Sequence, residues 1–335
     1  MTNQDKSRQI FELIKKSDNI LLHLHLSPDA DSIGSALAMS FALLSLGKKV
    51  TVIKGDSPLP ERFSVLPGYD KIVHKNFMEI DLSQFDLFLI LDSASLDRIS
   101  KIGEVIFPET LKTAVIDHHV SNTNFAEINL VDSQAPAVAQ MLAVLFKEWQ
   151  ITITPEIAIC LLVGIYADTG GFSYERTTSL TFSIASQLVE IYPNFPKILS
   201  DLNNYNTPGS LRFRGLAYSS IEIVGKGQIG IIPLNYQSLV DNDFNQEDME
   251  GQSFSSSLIS VKDWLIGVSL IEKEPNKTRL SFRCRRPDLY DMSKVTTLLG
   301  GGGHPPAAGA LFVGTATEAK TAVIKALADT FPDLF

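Results

Sequence analysis

Short apolar runs alternate with longer apolar or amphipathic runs along the first half of the chain. Short runs rich in Ile, Leu and Val are typical of buried strands, and longer runs are typical of helices. Strands are predicted at residues 19–24, 49–54, 86–91 and 113–116, and helices at residues 32–46, 135–149 and 155–166. This alternation predicts an α/β fold with a doubly wound, mainly parallel sheet.

The pattern changes after residue 190. Residues 191–214 include the segments YPNF and NNYNTPGS, which are rich in turn-forming residues, and we interpret them as a linker. Beyond it, the segments GQIGIIPL, WLIGVSLIEKE and TRLSFRCR are predicted strands, residues 300–304 form a glycine loop, and a helix lies near residues 317–329. A chain of 335 residues suits two domains, here residues 1–190 and a smaller α/β domain at residues 215–335.

Composition narrows the classes of ligand. The formal net charge is −9, from 29 Lys and Arg against 38 Asp and Glu. Proteins that track long nucleic acids usually present a basic face, because phosphate neutralisation supplies most of that affinity. The charge therefore argues against long duplex nucleic acid, but it is compatible with a small phosphorylated ligand held by a few arginines.

Two further observations concern location. The longest apolar run, residues 157–167, is too short to span a bilayer, so no membrane association is expected. The two cysteines, Cys160 and Cys284, lie in different predicted domains, which favours a reducing compartment. We expect a cytoplasmic protein.

Polar residues follow three of the predicted strands. His25, Asp92 and Asp117 each come directly after the last apolar residue of a strand. In open α/β sheets, ligands bind in the crevice beyond the carboxyl ends of the strands. Three separate segments are therefore expected to deliver polar side chains to one edge of the sheet.

Histidines and carboxylates are concentrated in the segments HLSPDAD, at residues 25–31, and DHH, at residues 117–119. Oxygen and imidazole ligands without cysteine suit two divalent cations such as Mn²⁺ or Mg²⁺ better than zinc or copper. The alternative is that Ser27, Pro28 and Asp29 form a simple turn and that Asp31 or Ser32 caps the next helix. Both segments together favour an enzyme that acts on phosphates with metal ions.

Four segments in order resemble the motifs of the DHH phosphoesterase superfamily: HLSPDADSIGSALA, LDSAS, IDHH and YADTGGF. A fifth, GGGGHPPAAGA, resembles the DHH-associated C-terminal domain. The resemblance covers nearly all of the chain and is strongest to the bifunctional oligoribonuclease and phosphoadenosine phosphate phosphatase branch. It implies a catalytic DHH domain at residues 1–190 and a substrate-binding domain at residues 215–335.

The resemblance implies two overlapping sets of metal ligands. The first set is His25, Asp29 and Asp92, and the second is Asp31, Asp92, His118 and Asp168, with Asp92 bridging two divalent cations. An electrostatic argument agrees, because carboxylates gathered in one crevice repel each other unless cations neutralise them.

Three further roles are considered beside these ligands. The resemblance implies that Asp117 hydrogen-bonds His118 or another ligand and fixes its ring. It also implies that His119 faces the scissile phosphate, which a hydroxide bridging the cations attacks in line. By pattern alone Asp168 is equally compatible with a turn at the end of a helix; the resemblance favours the ligand role.

Candidate substrate contacts lie in the second domain. The glycine run is either a flexible turn or a backbone cradle for an anion. The resemblance favours a cradle and implies substrate contacts from Gly301, Gly302, Gly303 and His304.

The segment SFRCR matches the Ser-x-Arg strand end of the family's C-terminal domain. It implies substrate binding by Arg283 and Arg285, which two-residue alternation places on one strand face. Arg283 is favoured over Arg285, and the alternative is that one of them is a solvated surface charge.

We expect an enzyme that hydrolyses short oligoribonucleotides or linear dinucleotides such as pApA to mononucleotides, and also 3′-phosphoadenosine 5′-phosphate to AMP. An inorganic pyrophosphatase or exopolyphosphatase is the alternative in the same class, and it predicts more Lys and Arg around the glycine run than this chain has. A non-catalytic nucleotide sensor is the alternative in another class, and it is expected to lack some metal ligands. Short RNA or a nucleotide is the expected partner, and a homodimer is left open.

Overall fold

A computed structural model of the protein describes residues 2–249 and 251–335, and these contain two β-sheets. The chain divides into two units, the first ending at Tyr205 and the second beginning at Asn206. The division lies inside the segment 191–214 that we interpreted as a linker, and much of that segment is helical. The predicted α/β class is confirmed.

The first unit contains a five-stranded sheet in which every neighbouring pair is parallel. Its strands are β1 (Asn19–His23), β2 (Lys49–Ile53), β3 (Leu87–Leu91), β4 (Lys112–Asp117) and β5 (Ile128–Val131). Its helices are α1 (Asn3–Lys16), α2 (Ala30–Ser45), α3 (Val138–Glu148), α4 (Pro155–Asp168), α5 (Ser179–Ile191) and α6 (Phe195–Asn203). The strand order is β2-β1-β3-β4-β5.

The strand order reverses between β1 and β3, which places the topological switch point of the sheet there. A crevice opens beyond the carboxyl ends of strands at such a point. The chain leaves β1 towards His25 and leaves β3 at Asp92, so both residues lie beside this crevice.

Alternation along each strand assigns its side chains to two cores. Ile20 and Leu22 of β1 pack with the helices, whereas Leu21 packs on the opposite face with Phe88 of β3. The opposite face is covered in part by the 3₁₀ segment Phe77–Glu79 and by Phe107. Both faces of the sheet are therefore buried, which explains why the strands are continuous apolar runs.

Helices α2 and α4 can approach each other closely because each has a glycine at the contact. A Cβ atom on Gly34 would lie 2.4 Å from the carbonyl oxygen of Cys160. A Cβ atom on Gly164 would lie 2.7 Å from both the Ala139 Cβ and an Asp31 carboxylate oxygen. These glycines let the helices bring the start of α2 next to the end of α4, where Asp31 and Asp168 lie.

The second unit contains a six-stranded mixed sheet in the order β10-β11-β9-β8-β7-β6. Its strands are β6 (Glu222–Val224), β7 (Ile229–Leu234), β8 (Ile266–Glu274), β9 (Lys277–Cys284), β10 (Gly302–His304) and β11 (Ala307–Val313). Its helices are α7 (Pro208–Ser219), α8 (Tyr236–Asp241), α9 (Gln246–Met249), α10 (Phe254–Leu258), α11 (Met292–Leu298) and α12 (Ala316–Thr330). Strands β7 and β8 pair in parallel, and the other pairs are antiparallel.

Two local predictions differ from the structure. The glycine run was expected to be a loop, but Gly302 to His304 form edge strand β10, paired with Ala307 to Gly309 of β11. The helix predicted from residue 32 begins at Ala30. Among the described residues, no helix is both long and apolar enough to cross a bilayer.

Candidate metal site and substrate-binding surface

Three strands deliver the predicted polar residues to one edge of the parallel sheet. His25 follows β1 after Leu24, Asp92 comes directly after β3, and Asp117 is the last residue of β4. The remaining predicted ligands come from helix ends, since Asp29 and Asp31 lie at the start of α2 and Asp168 ends α4. The local pattern and the topology therefore agree on where the site lies.

The first predicted ligand set is brought together. The Nε2 atom of His25 lies 3.2 Å from Oδ2 of Asp92 and 3.6 Å from Oδ2 of Asp29. One ligand atom from each of these residues falls within 4.8 Å of the other two. Asp29 also caps α2, because its Oδ1 accepts hydrogen bonds from the amides of Asp31 and Ser32. The Asp29 carboxylate can therefore cap α2 with one oxygen and face the candidate metal site with the other.

The second predicted set is also brought together. Nε2 of His118 lies 3.5 Å from Oδ2 of Asp168 and 3.5 Å from Oδ1 of Asp92. Asp31 joins His118 and Asp168 in a group whose ligand atoms lie within 4.8 Å of one another. Asp92 thus faces both sets, one through each oxygen.

Asp31 also caps helix α3, a structural role that the sequence did not indicate. Its Oδ2 accepts a 2.6 Å hydrogen bond from the amide of Val138, and its Oδ1 accepts one of 2.9 Å from the amide of Ala139. These amides belong to the first turn of α3, whose N-cap residue Ala137 has no side-chain acceptor. The buried Asp31 carboxylate supplies that acceptor, and it also lies near the positive end of the helix dipole.

Backbone carbonyls orient the two ligand imidazoles. Nδ1 of His118 lies 3.2 Å from the carbonyl oxygen of Ala135, and Nδ1 of His25 lies 2.9 Å from that of Leu26. A carbonyl oxygen can only accept, so a neutral His118 ring donates through Nδ1 and keeps the Nε2 lone pair for a cation. Nδ1 of His25 also lies 2.9 Å from the Arg98 guanidinium, which can only donate, so its contacts do not fix one tautomer. Both Nε2 atoms face the carboxylates.

With protons alone as counter-charge, the cluster is electrostatically strained. Burial, and then the charge of Asp92, raises the pKa of Asp31 to about 7. Burial, and then the charge of Asp31, raises the pKa of Asp168 to about 8. Although burial opposes its charge, the nearby imidazoles of His118 and His25 hold the pKa of Asp92 below its usual range. These shifts identify crowded like charges that a divalent cation would neutralise.

The conformation and environment of Asp92 also fit a bound cation. Asp92 adopts φ of 54°, in the left-handed region, and its buried Oδ1 has no hydrogen-bond partner among the described residues. A buried carboxylate oxygen without a partner is costly, and a strained backbone at such a residue points to function. A divalent cation bound at this oxygen would give it a partner.

Asp117 contacts His119 rather than His118. Its Oδ1 lies 2.7 Å from Nδ1 of His119, and its Oδ2 accepts a 2.6 Å hydrogen bond from the side-chain amide of Asn122. Asp117 is fully buried, whereas His119 is partly exposed and lies 3.7 Å from Oδ1 of Asp92. The pair therefore holds an accessible imidazole next to the candidate metal ligands.

Two neighbours of the cluster were not among the candidate site residues. Asn122, five residues beyond Asp117, fixes that carboxylate, and Arg98 places its Nη2 atom 2.9 Å from Nδ1 of His25. His23 is buried against Phe88, and burial lowers its pKa to about 3, so it is a neutral core residue. For Asn122, its position three residues after the DHH segment could have indicated a role in the site; for Arg98 the sequence offered no comparable indication.

The predicted substrate contacts of the second unit separate into two groups. Arg283, Gly302 and Gly303 line one cavity of about 660 Å³. Gly301 instead packs against β11, where a Cβ atom would lie 2.2 Å from the Gly309 carbonyl oxygen, and exposed His304 is outside the lining.

The predicted arginine pair on one strand face is not formed. Strand β9 ends at Cys284, and the Arg285 guanidinium donates to the backbone carbonyls of Ile259 and Val261. Arg285 is outside the cavity that Arg283 lines.

Comparisons with known proteins concern the family and the fold. Residues 19–165 match the DHH family, N-terminal domain. The chain is 29% identical over 316 residues to the bifunctional oligoribonuclease and PAP phosphatase NrnA of Thermus thermophilus, covering 92% of this chain and 89% of the relative. It is 27% identical over 307 residues to the probable protein of that name from Streptococcus mutans, covering 90% and 92%.

A solved structure shares the fold. The exopolyphosphatase-related protein of Bacteroides fragilis superposes with a TM-score of 0.89 at 24% identity, covering 99% of this chain and 98% of that chain. At this identity the likeness concerns the fold alone. Residues 19–165 are thus similar to the N-terminal domain of the DHH family, and together with the relatives this match shows a hydrolytic, metal-dependent phosphoesterase.

Proposed function

We propose that the protein hydrolyses short oligoribonucleotides and linear dinucleotides such as pApA to mononucleotides, and 3′-phosphoadenosine 5′-phosphate to AMP. The observation that carries the proposal is the pair of ligand sets that meet at Asp92, whose Oδ1 is buried without a partner among the described residues. The names of the two relatives, oligoribonuclease and PAP phosphatase, support the substrate class.

Two divalent cations, Mn²⁺ or Mg²⁺, suit the cluster. The first would use His25, Asp29 and Asp92, and the second Asp31, Asp92, His118 and Asp168, all with oxygen or imidazole donors. When bound, such cations neutralise carboxylates, polarise a phosphoryl group and make water acidic at neutral pH.

The chain's own residues contribute orientation and proton handling. Asp117 accepts from Nδ1 of His119, which leaves Nε2 of that ring for the substrate. His119 is therefore the proposed contact to the scissile phosphate, and Asp117 is the residue that orients it. Arg283, Gly302 and Gly303 are the proposed substrate contacts of the second unit.

The proposed location is the cytoplasm. Both cysteines are free and buried, Cys160 in the first unit and Cys284 in the second, as expected in a reducing compartment.

A substrate panel tests the proposal. Purified protein with Mn²⁺ is incubated with pApA, RNA of two to five nucleotides, 3′-phosphoadenosine 5′-phosphate, pyrophosphate and tripolyphosphate, and products are separated by chromatography. Mononucleotides from the first three substrates, lost in His118→Ala, are expected. Turnover of pyrophosphate or tripolyphosphate alone would overturn the proposal in favour of a pyrophosphatase or exopolyphosphatase. Binding of nucleotides without any turnover would indicate a sensor.

A further inference from the structure

A cavity of about 290 Å³ lies in the first unit, beside the candidate metal ligands. Ala30, which stands between Asp29 and Asp31, is part of its lining. Ala167, which precedes Asp168, also belongs to the lining. The backbone that carries ligands of both sets therefore forms part of the wall, and all the described lining residues belong to the first unit.

The other walls of this cavity are mostly apolar. Phe63 and Val163 are buried in the core of the unit, and Leu199 and Leu202 of α6 are partly buried against it. Among the described residues, the lining contains no carboxylate and no imidazole. The cavity is therefore unsuited to a metal ion, and a phosphate would lose much of its hydration there for few new partners.

An aromatic ring and a glycine turn border the cavity where α4 ends. Gly170 and Gly171 contribute only backbone to the lining, and both adopt positive φ, of 56° and 64°. A Cβ atom on Gly171 would lie 3.5 Å from the ring of Tyr166, another lining residue. The turn thus approaches this ring closely without placing a side chain of its own in the cavity.

Arg62 is the one charged residue in the described lining. Its guanidinium carbon lies 4.7 Å from the centre of the Phe63 ring, which is the geometry of a cation–π contact. Partial burial lowers the pKa of Arg62, and the charge of the nearby Asp29 opposes that effect. A guanidinium that lies over an aromatic ring keeps its other face for a planar ligand.

The lining favours a planar, uncharged ligand that is joined to a phosphate. Nucleobases stack on aromatic rings and on guanidinium planes, and their edges need few polar partners in the process. A volume of about 290 Å³ is at the lower end of the range for ligand pockets, so it suits one base rather than a whole dinucleotide. Because the cavity adjoins the metal ligands, the phosphate of the same nucleotide can lie at the metal cluster.

We propose that this cavity binds the base of the nucleotide whose phosphate lies at the metal cluster, and that Arg62 stacks on that base as a specificity-determining contact. The assignment rests on the proposed function, since it requires a nucleotide substrate. It adds a site for the base to a cluster of ligands that accounts only for the phosphate.

Substrates with and without bases test this assignment. In Arg62→Ala, at saturating Mn²⁺, the KM for pApA should rise about tenfold with kcat within about twofold, because a stacking contact common to ground state and transition state affects KM alone. The same dinucleotide with abasic spacers in place of both adenosines should have a raised KM in wild type, which Arg62→Ala does not raise further. Arg62→Lys should resemble Arg62→Ala, because it keeps the charge near Asp29 but has no plane to stack.

Filling the cavity gives an independent variant. Leu202→Trp places a larger side chain in the lining and should raise the KM for pApA about tenfold without changing that of the abasic dinucleotide. Arg8→Ala on α1 and Leu211→Trp on α7 make the same two changes at exposed positions. Both controls should leave every constant within about twofold of wild type.

Binding of adenosine needs neither turnover nor a bound metal. Adenosine has no phosphate, and it is titrated into the full-length protein in the presence of a chelator, with calorimetry or ligand-observed NMR as the readout. Its affinity should fall about tenfold in Arg62→Ala and in Leu202→Trp, and should stay at the wild-type value in the two controls. Undetectable binding to wild type, or equal affinity in all variants, overturns the assignment.

The proposed function and the base site fail on different results. If wild-type protein cleaves neither pApA nor 3′-phosphoadenosine 5′-phosphate, the proposed function fails. If it cleaves them and Arg62→Ala raises the KM of the abasic dinucleotide as much as that of pApA, Arg62 acts on the phosphate or on the metal site, and only the base site fails.

Discussion

Asp31 illustrates how one side chain can serve both fold and chemistry. Its two oxygens accept from Val138, Ala139 and the hydroxyl of Ser35, so the carboxylate holds the start of α3. The same carboxylate lies in a ligand group with His118 and Asp168. Its removal is therefore expected to disturb the start of α3 as well as the candidate metal site.

We predict that Asp31→Ala lowers the free energy of unfolding by about 2–3 kcal/mol, because each buried amide left unpaired costs about 1–3 kcal/mol. The relief of charge crowding is smaller, since a raised pKa already allows partial protonation. Asp31→Asn keeps an acceptor oxygen and is expected to retain most of the stability while losing hydrolysis. Denaturant unfolding with a chelator present, which removes the contribution of bound metal to stability, checks this order, and His118→Ala should lie near Asp31→Asn. Equal stability of Asp31→Ala and wild type would contradict the capping role.

Asp117 acts through His119. We predict that Asp117→Asn lowers kcat for pApA about 10- to 100-fold, the range usual for residues that orient a functional histidine. Mn²⁺ affinity should change little, because Asp117 bonds His119 and Asn122 rather than His25 or His118. Steady-state kinetics at saturating Mn²⁺ and a metal titration separate the two effects. A variant that loses Mn²⁺ but recovers full kcat at high Mn²⁺ would assign Asp117 to the metal site instead.

These residues also show what sequence could predict. His25, Asp92 and Asp117 were identifiable because each ends an apolar run that had to be a strand, and strand ends of a parallel sheet converge. The contact of Asp31 with Val138 joins residues 107 positions apart, and that of Arg98 with His25 joins residues 73 positions apart. No local pattern encodes such pairs, because they depend on how the elements pack.

The packing of α2 against α4 links the core to the metal site. A methyl group on Gly164 would meet both Ala139 and Asp31 at 2.7 Å. We predict that Gly164→Ala lowers the free energy of unfolding by about 1–3 kcal/mol, because the overpacking penalty exceeds the gain in helix propensity of about 1 kcal/mol. Mn²⁺ affinity should fall as well, since the Asp31 carboxylate must move.

Gly215 provides the matched control for this substitution. It lies exposed within α7, and a Cβ atom there would meet nothing within 4 Å. Gly215→Ala should therefore stabilise the protein by about 0.5–1 kcal/mol and leave Mn²⁺ binding unchanged. Thermal unfolding of both variants gives the comparison. A stabilised Gly164→Ala with normal Mn²⁺ affinity would show that the helices can separate without disturbing the site.

Strands and helices could be predicted from the sequence where burial of their side chains is enough to determine them. The strands of the parallel sheet are apolar on both faces, so their short runs were recognisable in the sequence. Edge strand β10 was not, because glycines have little strand propensity and Gly302 to His304 are extended only by pairing with β11. Arg285 was misplaced for a related reason: alternation predicts a strand face only while the strand continues, and β9 ends one residue earlier.

Charge distribution is the property of the whole protein that most constrains its chemistry. The net charge of −9 works against binding any polyanion, yet the lining of the 660 Å³ cavity in the second unit contains two arginines and no carboxylate among the described residues. Acidic side chains are instead crowded at the edge of the parallel sheet, where burial and mutual repulsion raise the pKa values of Asp31 and Asp168. An anionic substrate can approach this edge only when cations have neutralised it.

Metal binding should therefore stabilise the folded chain measurably. At Mn²⁺ concentrations about 100-fold above Kd, linkage gives about 2.7 kcal/mol, which corresponds to a rise in Tm of about 5–10 °C for a unit of this size. The rise should occur in the transition that includes the first unit, because all predicted ligands belong to it. Scanning calorimetry with Mn²⁺ and with a chelator measures the difference, and His118→Ala should reduce it by weakening one ligand set. An identical rise in wild type and His118→Ala would place the stabilising cation elsewhere, and the carboxylate cluster would then need another source of neutralisation.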